Sequence, residues 1–226
     1  MANYKDIINF TKFWEGGLSS AQTDSAKNNS SPCGKGKNGY SYHTNKGIQW
    51  ITFKSLANKG GYAATCDNFL KMPNDIWLKI YKVGYWDEML ADKIKNQAIA
   101  NTFVKWAWGS GVGGATSSLK KFFKDQYSKS FTTISQMVDF VNEIDNQDKN
   151  KELFDKLMKH RADFLRGTGQ TANLKGWFNR EDAFYLYNLP YTLNKTQKNT
   201  AKALLYGVTT IAIGISIIYL GKRYGK

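Results

Sequence analysis

Tyr4-Lys5-Asp6-Ile7-Ile8-Asn9-Phe10-Thr11-Lys12-Phe13-Trp14-Glu15-Gly16-Gly17 is the stretch on which the fold turns. Asn3 stands where a helix wants its N-cap, and Asp6 follows three residues later. Ile7, Phe10, Thr11 and Trp14 recur at helical spacing, so the run predicts an amphipathic first helix. Gly16-Gly17 closes it and leaves Glu15 at its C-terminal end. Unpaired carbonyls carry partial negative charge there, and Phe13 and Trp14 alongside can exclude water. Both influences disfavour the ionised carboxylate, and a carboxyl that keeps its proton suits a general acid. The same sequence also fits an ordinary C-cap, since glycine takes the left-handed backbone without penalty.

Working outward, Asp24 comes nine residues after Glu15, across Gly-Gly-Leu-Ser-Ser-Ala-Gln-Thr, a spacer that reads as loop or hairpin and lets two acids face one cleft. Thr44-Asn45-Lys46-Gly47-Ile48 begins 29 residues after Glu15. Glycoside hydrolysis needs one acid to protonate the leaving oxygen and a second, charged carboxylate to activate water or attack the sugar. These residues together resemble glycoside hydrolase family 108. The resemblance implies a lysozyme-like, mainly helical fold, cleavage of the glycan strands of peptidoglycan, and Glu15 as proton donor. Asp24 is then the base or electrostatic partner, and Thr44, by likeness to phage-type lysozymes, the holder of the attacking water. Asp24 also fits a solvated turn, and Thr44 a simple strand residue. The sequence departs from the family between Asp24 and Thr44, where a compact Asp-x-Gly-Gly-x-Thr turn gives way to the longer segment from Ser25 to His43.

Lys175-Gly176-Trp177-Phe178-Asn179-Arg180 resembles the Gly-Trp-x-Asn-Arg motif of the predicted peptidoglycan domain that accompanies the catalytic half in that family. With it the resemblance spans roughly residues 4–187. Trp177 and Arg180 read first as a packing anchor with a polar partner and second as substrate contacts. Ile80-Tyr81-Lys82, Tyr85-Trp86-Asp87 and a helix from Ile94 to Trp108 ending at Gly109-Ser110-Gly111 are weaker landmarks. Ile99, Thr102, Phe103 and Trp106 on that helix fit a buried face.

The chain has 226 residues and a net charge of +14, of which residues 201–226, with four Lys or Arg and no acid, carry +4. Such a surface attracts polyanions, including peptidoglycan carboxylates, wall polymers and anionic lipid. The lysines are scattered and no nucleic-acid motif occurs, so no specific nucleic-acid partner is expected. Cys33 and Cys66 have no metal-ligand spacing, and neither a metal nor a cofactor is expected. They can pair in an oxidising compartment; without a visible export signal two free thiols are the default. His43 neighbours Thr44 and can line the cleft as a substrate contact, or serve as a hydrogen-bonded turn residue; His160 joins no constellation.

Segment 18–48 reads as loops with a short hairpin. Helices are expected over Trp50–Asn58, Asn74–Lys82, Ala115–Asp125, Ile134–Ile144 and Asp148–Arg166. The fold class is therefore mainly α: a lysozyme-like domain with a small hairpin or loop element at the active site. Ala203 to Gly221 contains no charge over 19 residues. At about 1.5 Å per residue it spans roughly 28 Å and is expected to cross a membrane as a single helix. The implied organisation is a muramidase-like domain over 1–190, with its peptidoglycan-domain half from about 85. A basic linker over 191–202, the transmembrane helix over 203–221 and a basic tail over 222–226 follow. Basic residues flank both ends of the helix, so which side of the membrane holds the domain stays open. The function expected is a peptidoglycan muramidase; the alternative is a non-catalytic wall-binding or membrane-associated protein of the same fold.

Overall fold

The structure is a computed structural model that describes residues 1–145 and 149–193. The segment 203–221 lies outside the described residues; among those described, no helix is long and apolar enough to cross a membrane.

The chain forms two compact units. The first comprises Met1–Lys95 with Ala100–Asp139, and the second Asn96–Ile99 with the described residues from Phe140 on. The expected start of a second half near 85 thus falls inside the first unit.

The first helix, α1, runs Tyr4–Trp14, and the Asn3 side chain accepts from the Lys5 amide at 3.0 Å. A cap of this kind is worth about 1 kcal/mol. Its buried residues are Ile7, Ile8 and Thr11. Phe10 and Trp14 are half-buried and Phe13 is 80% exposed, so Phe13 does not shield Glu15 from water as its position suggests. Glu15 leaves the helix in an extended conformation (φ −95°, ψ 132°). Neither Gly16 nor Gly17 takes a left-handed backbone, so the left-handed glycine cap is not what ends this helix.

The expected hairpin is present. Strands β1 (Thr44–Asn45) and β2 (Ile48–Gln49) pair antiparallel, Thr44 opposite Gln49 and Asn45 opposite Ile48. Lys46 and Gly47 between them have φ of 45° and 78°, the double positive φ that lets a two-residue turn follow the twist of its strands. Ser19 bridges to Thr44 on the other side. The loop carrying Asp24 is thereby tied to the strand carrying Thr44. The segment that departs from the family pattern is ordered: a short 3-10 helix over Ser25–Asn29, then a second small excursion closed by a bridge between Lys35 and Ser41.

Helices α2 (Trp50–Ser55) and α3 (Ala57–Gly60) follow, with a break at Leu56 inside the single helix expected there. Next is α4 (Cys66–Lys71), which has no counterpart in the sequence reading. Cys33 and Cys66 form a disulfide, which corrects the default of free thiols. It closes a sequence separation of 33 residues. In the chain-entropy account this is worth about 4 kcal/mol. Asn45 adds two hydrogen bonds to the same helix, at 2.7 Å to the Phe69 carbonyl and 2.9 Å to that of Leu70. Hairpin and excursion are thus both pinned to α4.

Helix α5 covers Asn74–Tyr81 and runs into a π-helical turn at Lys82–Trp86. Helix α6, Gln97–Tyr127, breaks at Gly111 (φ 71°, ψ 159°), where the sequence separates two helices. Ile99, Thr102, Phe103 and Trp106 are buried as their spacing predicts; so are Ala98, Asn101, Val104, Lys105 and Ala107, which makes this segment buried nearly all round. Helix α7 is Ile134–Asp145. In the second unit α8 (Asn150–Gly167) packs on α9 (Thr171–Thr192). Phe154 stacks on Tyr185 with centroids 5.3 Å apart, and a buried ion pair joins Arg161 to Glu181 at 3.5 Å.

Candidate active site

A cleft of about 340 Å³ opens beside the end of α1, lined by Lys12, Glu15, Gly16, Gly17, Lys46, Asn74 and Trp77. All of these belong to the first unit. The Glu15 carboxyl is clamped from two directions. Trp108 Nε1–H donates to Oε1 at 2.7 Å. On the other side the carboxyl lies against the hairpin tip, where a Cβ added to Gly47 would sit 2.3 Å from Oε2 and 2.9 Å from Trp108 Cζ2. Glycine at 47 therefore meets two demands, a positive φ and the close approach of the acid.

The donor that holds Glu15 is itself immobilised. The Trp108 ring packs against Trp77, Tyr81 and Tyr85 at centroid distances of 5.3, 5.4 and 4.8 Å. Trp77 in turn donates its indole N–H to the Lys46 carbonyl at 3.0 Å. One tryptophan thus orients the acid and its neighbour holds the hairpin tip beneath it. Burial pushes the Tyr85 phenol up to about 12, with the charge of Glu15 adding to the rise, so this hydroxyl keeps its proton at neutral pH.

Two cations share the cleft with the acid. The Lys12 ammonium lies 5.1 Å from the Trp77 ring centroid and donates to Asn74 Oδ1; Lys46 Nζ donates to the Met72 carbonyl at 2.9 Å. Burial, and then the charge of Lys46, lowers the pKa of Lys12. Gly16 and Gly17 form the open wall. A Cβ at either would meet nothing within 4 Å, so their lack of side chains keeps space for a ligand and is not required by the fold.

The remaining residues singled out in the sequence are distributed as follows. Asp24 caps the Ser25–Asn29 turn, its Oδ1 accepting from the Ala26 amide at 2.9 Å, and it is not among the residues lining the cleft. Thr44 Oγ1 lies 2.9 Å from His43 Nδ1, and His43 Nε2 lies 3.1 Å from the Ala21 carbonyl. A carbonyl only accepts, so in the neutral ring Nε2 carries the hydrogen and Nδ1 receives the Thr44 hydroxyl proton. His43 is fully buried, with both ring nitrogens in hydrogen-bonding contact. Trp177 and Arg180 lie half-buried on α9 in the second unit.

Sequence reasoning missed Lys12, Lys46, Asn74, Trp77 and Trp108 as members of the site. Trp108 stands 93 residues from Glu15, and no local pattern joins positions so far apart. The hint available for Lys46 was its place inside the Thr-Asn-Lys-Gly-Ile motif.

A helix-end carboxyl held over a hairpin tip in a mainly helical fold is an arrangement suited to glycoside hydrolysis. Residues 8–111, just under half of the chain, match the model of the family described as Glycosyl hydrolase 108, which supports a glycoside hydrolase. Among solved structures, the chain is similar to SagA of Brucella abortus, with a TM-score of 0.57 at 18% identity, covering 85% of this chain and 97% of that one. At that identity the likeness speaks for the fold. No curated protein matches the chain in sequence.

Proposed function

We propose that the protein is an N-acetylmuramidase that cleaves the glycan strand of peptidoglycan, with Glu15 as general acid. The observation that carries this reading is the double clamp on the Glu15 carboxyl: with Oε1 committed to Trp108 as an acceptor, Oε2 is the oxygen that delivers the proton to the leaving sugar. Thr44 holds the attacking water. Its own hydrogen is given to His43, so a water at Oγ1 donates to it and keeps a lone pair for the anomeric carbon. Asp24 supplies the negative charge through the oxygen that does not cap the Ser25–Asn29 turn, and an acid paired with a held water leads to inversion. Trp177 and Arg180 are assigned a secondary contact with the glycan. Digestion of purified peptidoglycan by the full chain, with the new reducing ends analysed, tests the reading. Reducing N-acetylmuramic acid is expected, and intact strands after prolonged incubation would overturn it.

Asp24→Asn separates the cap from the charge. Asparagine caps as well as aspartate. The variant should therefore keep the wild-type Tm while its turnover falls by about 10²-fold or more. Wild-type turnover would leave the water to Thr44 alone.

A second reading has one observation in its favour: Glu15 is the single carboxylate among the residues lining the cleft. A non-catalytic wall-binding protein needs no second acid. The digestion decides between the two.

The 203–221 segment is assigned as a transmembrane anchor, and the Cys33–Cys66 bond supports a domain working on the oxidising side of the membrane. Full-length protein is expected to resist extraction by high salt or alkaline carbonate, since lipid insertion is not screened by ions. Deleting 200–226 should give a soluble chain that still cleaves peptidoglycan. Release of the full chain by salt alone would show the basic surface to be the attachment.

A further inference from the structure

We propose that Lys12 and Lys46 form a carboxylate-binding subsite that selects peptidoglycan strands bearing ionised acid groups over the same strands with those groups neutralised. This rests on the muramidase reading and deepens it, because it says which part of the substrate the cleft recognises besides the scissile sugar.

Both lysines line the cleft that contains Glu15, one from the last turn of α1 and the other from the hairpin tip. Each is fixed by a different anchor. Lys12 donates to Asn74 Oδ1 and lies over the Trp77 ring, while Lys46 donates to the Met72 carbonyl. An ammonium has three hydrogens, so each keeps donors for a ligand after these bonds. The two charges are close enough that Lys46 disfavours the charged form of Lys12. Folding thus brings two like charges together at the mouth of a catalytic cleft, an arrangement that an anion between them relieves. When Glu15 enters the reaction protonated, the cleft holds these two positive charges and no compensating negative one among its lining residues. Gly16 and Gly17, whose missing side chains leave the adjoining wall open, give a branched substrate room to reach the pair. Peptidoglycan presents suitable partners in the free carboxylates of its peptide stems.

The test compares native peptidoglycan with the same material after its carboxyl groups have been converted to amides. Lys12→Gln and Lys46→Gln should each raise KM on native peptidoglycan by about tenfold with kcat changed less than about twofold, the pattern of a lost charge-assisted contact made equally in ground and transition states. On the amidated material neither substitution should change KM. Lys46→Arg, which retains the cation at the hairpin tip, should reverse most of the rise in KM on native material that Lys46→Gln causes; failure of this rescue would assign the loss to a loosened hairpin and overturn the subsite. A parallel binding measurement uses Glu15→Gln protein on the two materials, so that the subsite is read even if no cleavage occurs. Tighter binding to the native material that disappears in the Lys12→Gln/Glu15→Gln double variant supports the subsite. Equal loss on native and amidated substrate, or no loss on either, overturns it. Absence of cleavage with the charge-dependent binding intact would instead sink the muramidase reading and leave the subsite standing.

Discussion

Glu15→Gln is expected to lower glycan cleavage by about 10³-fold or more with the fold unchanged, the upper range for loss of a general acid. The substitution is clean because of how the side chain is held. The amide oxygen can still accept from Trp108 Nε1–H, a bond of 2.7 Å, so the position of the side chain is preserved. What disappears is the proton: an amide N–H does not protonate a departing glycosidic oxygen. Thermal unfolding and binding to intact peptidoglycan should both match wild type, which isolates the defect to the chemical step. A folded amide variant with near-normal turnover would remove Glu15 from the mechanism and leave the non-catalytic reading in possession. Trp108→Phe offers a graded comparison, since it deletes the same hydrogen bond from the other side while keeping the ring's packing against Tyr85.

The elements that local chemistry specifies were readable in the sequence. The cap at Asn3 and the helical period from Ile7 to Trp14 announce α1, and the loop-rich composition of 18–48 announces a short hairpin without fixing its turn. What stayed hidden depends on contacts between distant residues. Helix α4 has only six residues, too few for a period to show, and it is held by long-range bonds from Asn45 and by the disulfide at its first residue. The pairing of Cys33 with Cys66 follows from the way the excursion after Asp24 folds back, and the excursion was visible only as an irregular insert. His43 illustrates the converse. Its place beside Thr44 is plain in the chain, yet the burial of its ring and the 3.1 Å contact of Nε2 with the Ala21 carbonyl join positions 22 residues apart. The helix over Thr171–Thr192 was obscured by Gly176 and Pro190, both of which the packed helix accommodates.

Gly47→Ala carries the second large effect and tests the geometry of the acid without touching it. The new methyl would lie 2.3 Å from Glu15 Oε2 and 2.7 Å from Cδ, well inside van der Waals contact. Something must move, and the surroundings say what. Trp108 is enclosed by Trp77, Tyr81 and Tyr85, and the hairpin tip is held by the Trp77 bond to the Lys46 carbonyl. The carboxyl is the flexible partner and faces an open cleft, so it is the group displaced. A shift of about 1 Å at a reacting group can cost on the order of 10²-fold in rate, which sets the expected loss of turnover. Stability falls as well, because alanine at φ 78° is strained by roughly 1–2 kcal/mol before any clash is counted. A double-mutant cycle separates the two contributions. In a Glu15→Ala background the clash with the carboxyl is gone, so Gly47→Ala should there cost the backbone term and the remaining 2.9 Å approach to Trp108 Cζ2, and the difference between the two backgrounds measures the contact with the carboxyl. Gly16→Ala serves as the contrast, since its Cβ meets nothing within 4 Å and its backbone is not left-handed; it should fold like wild type. Turnover in Gly47→Ala within a few-fold of wild type would mean that the clamp between hairpin and acid does not set the catalytic geometry.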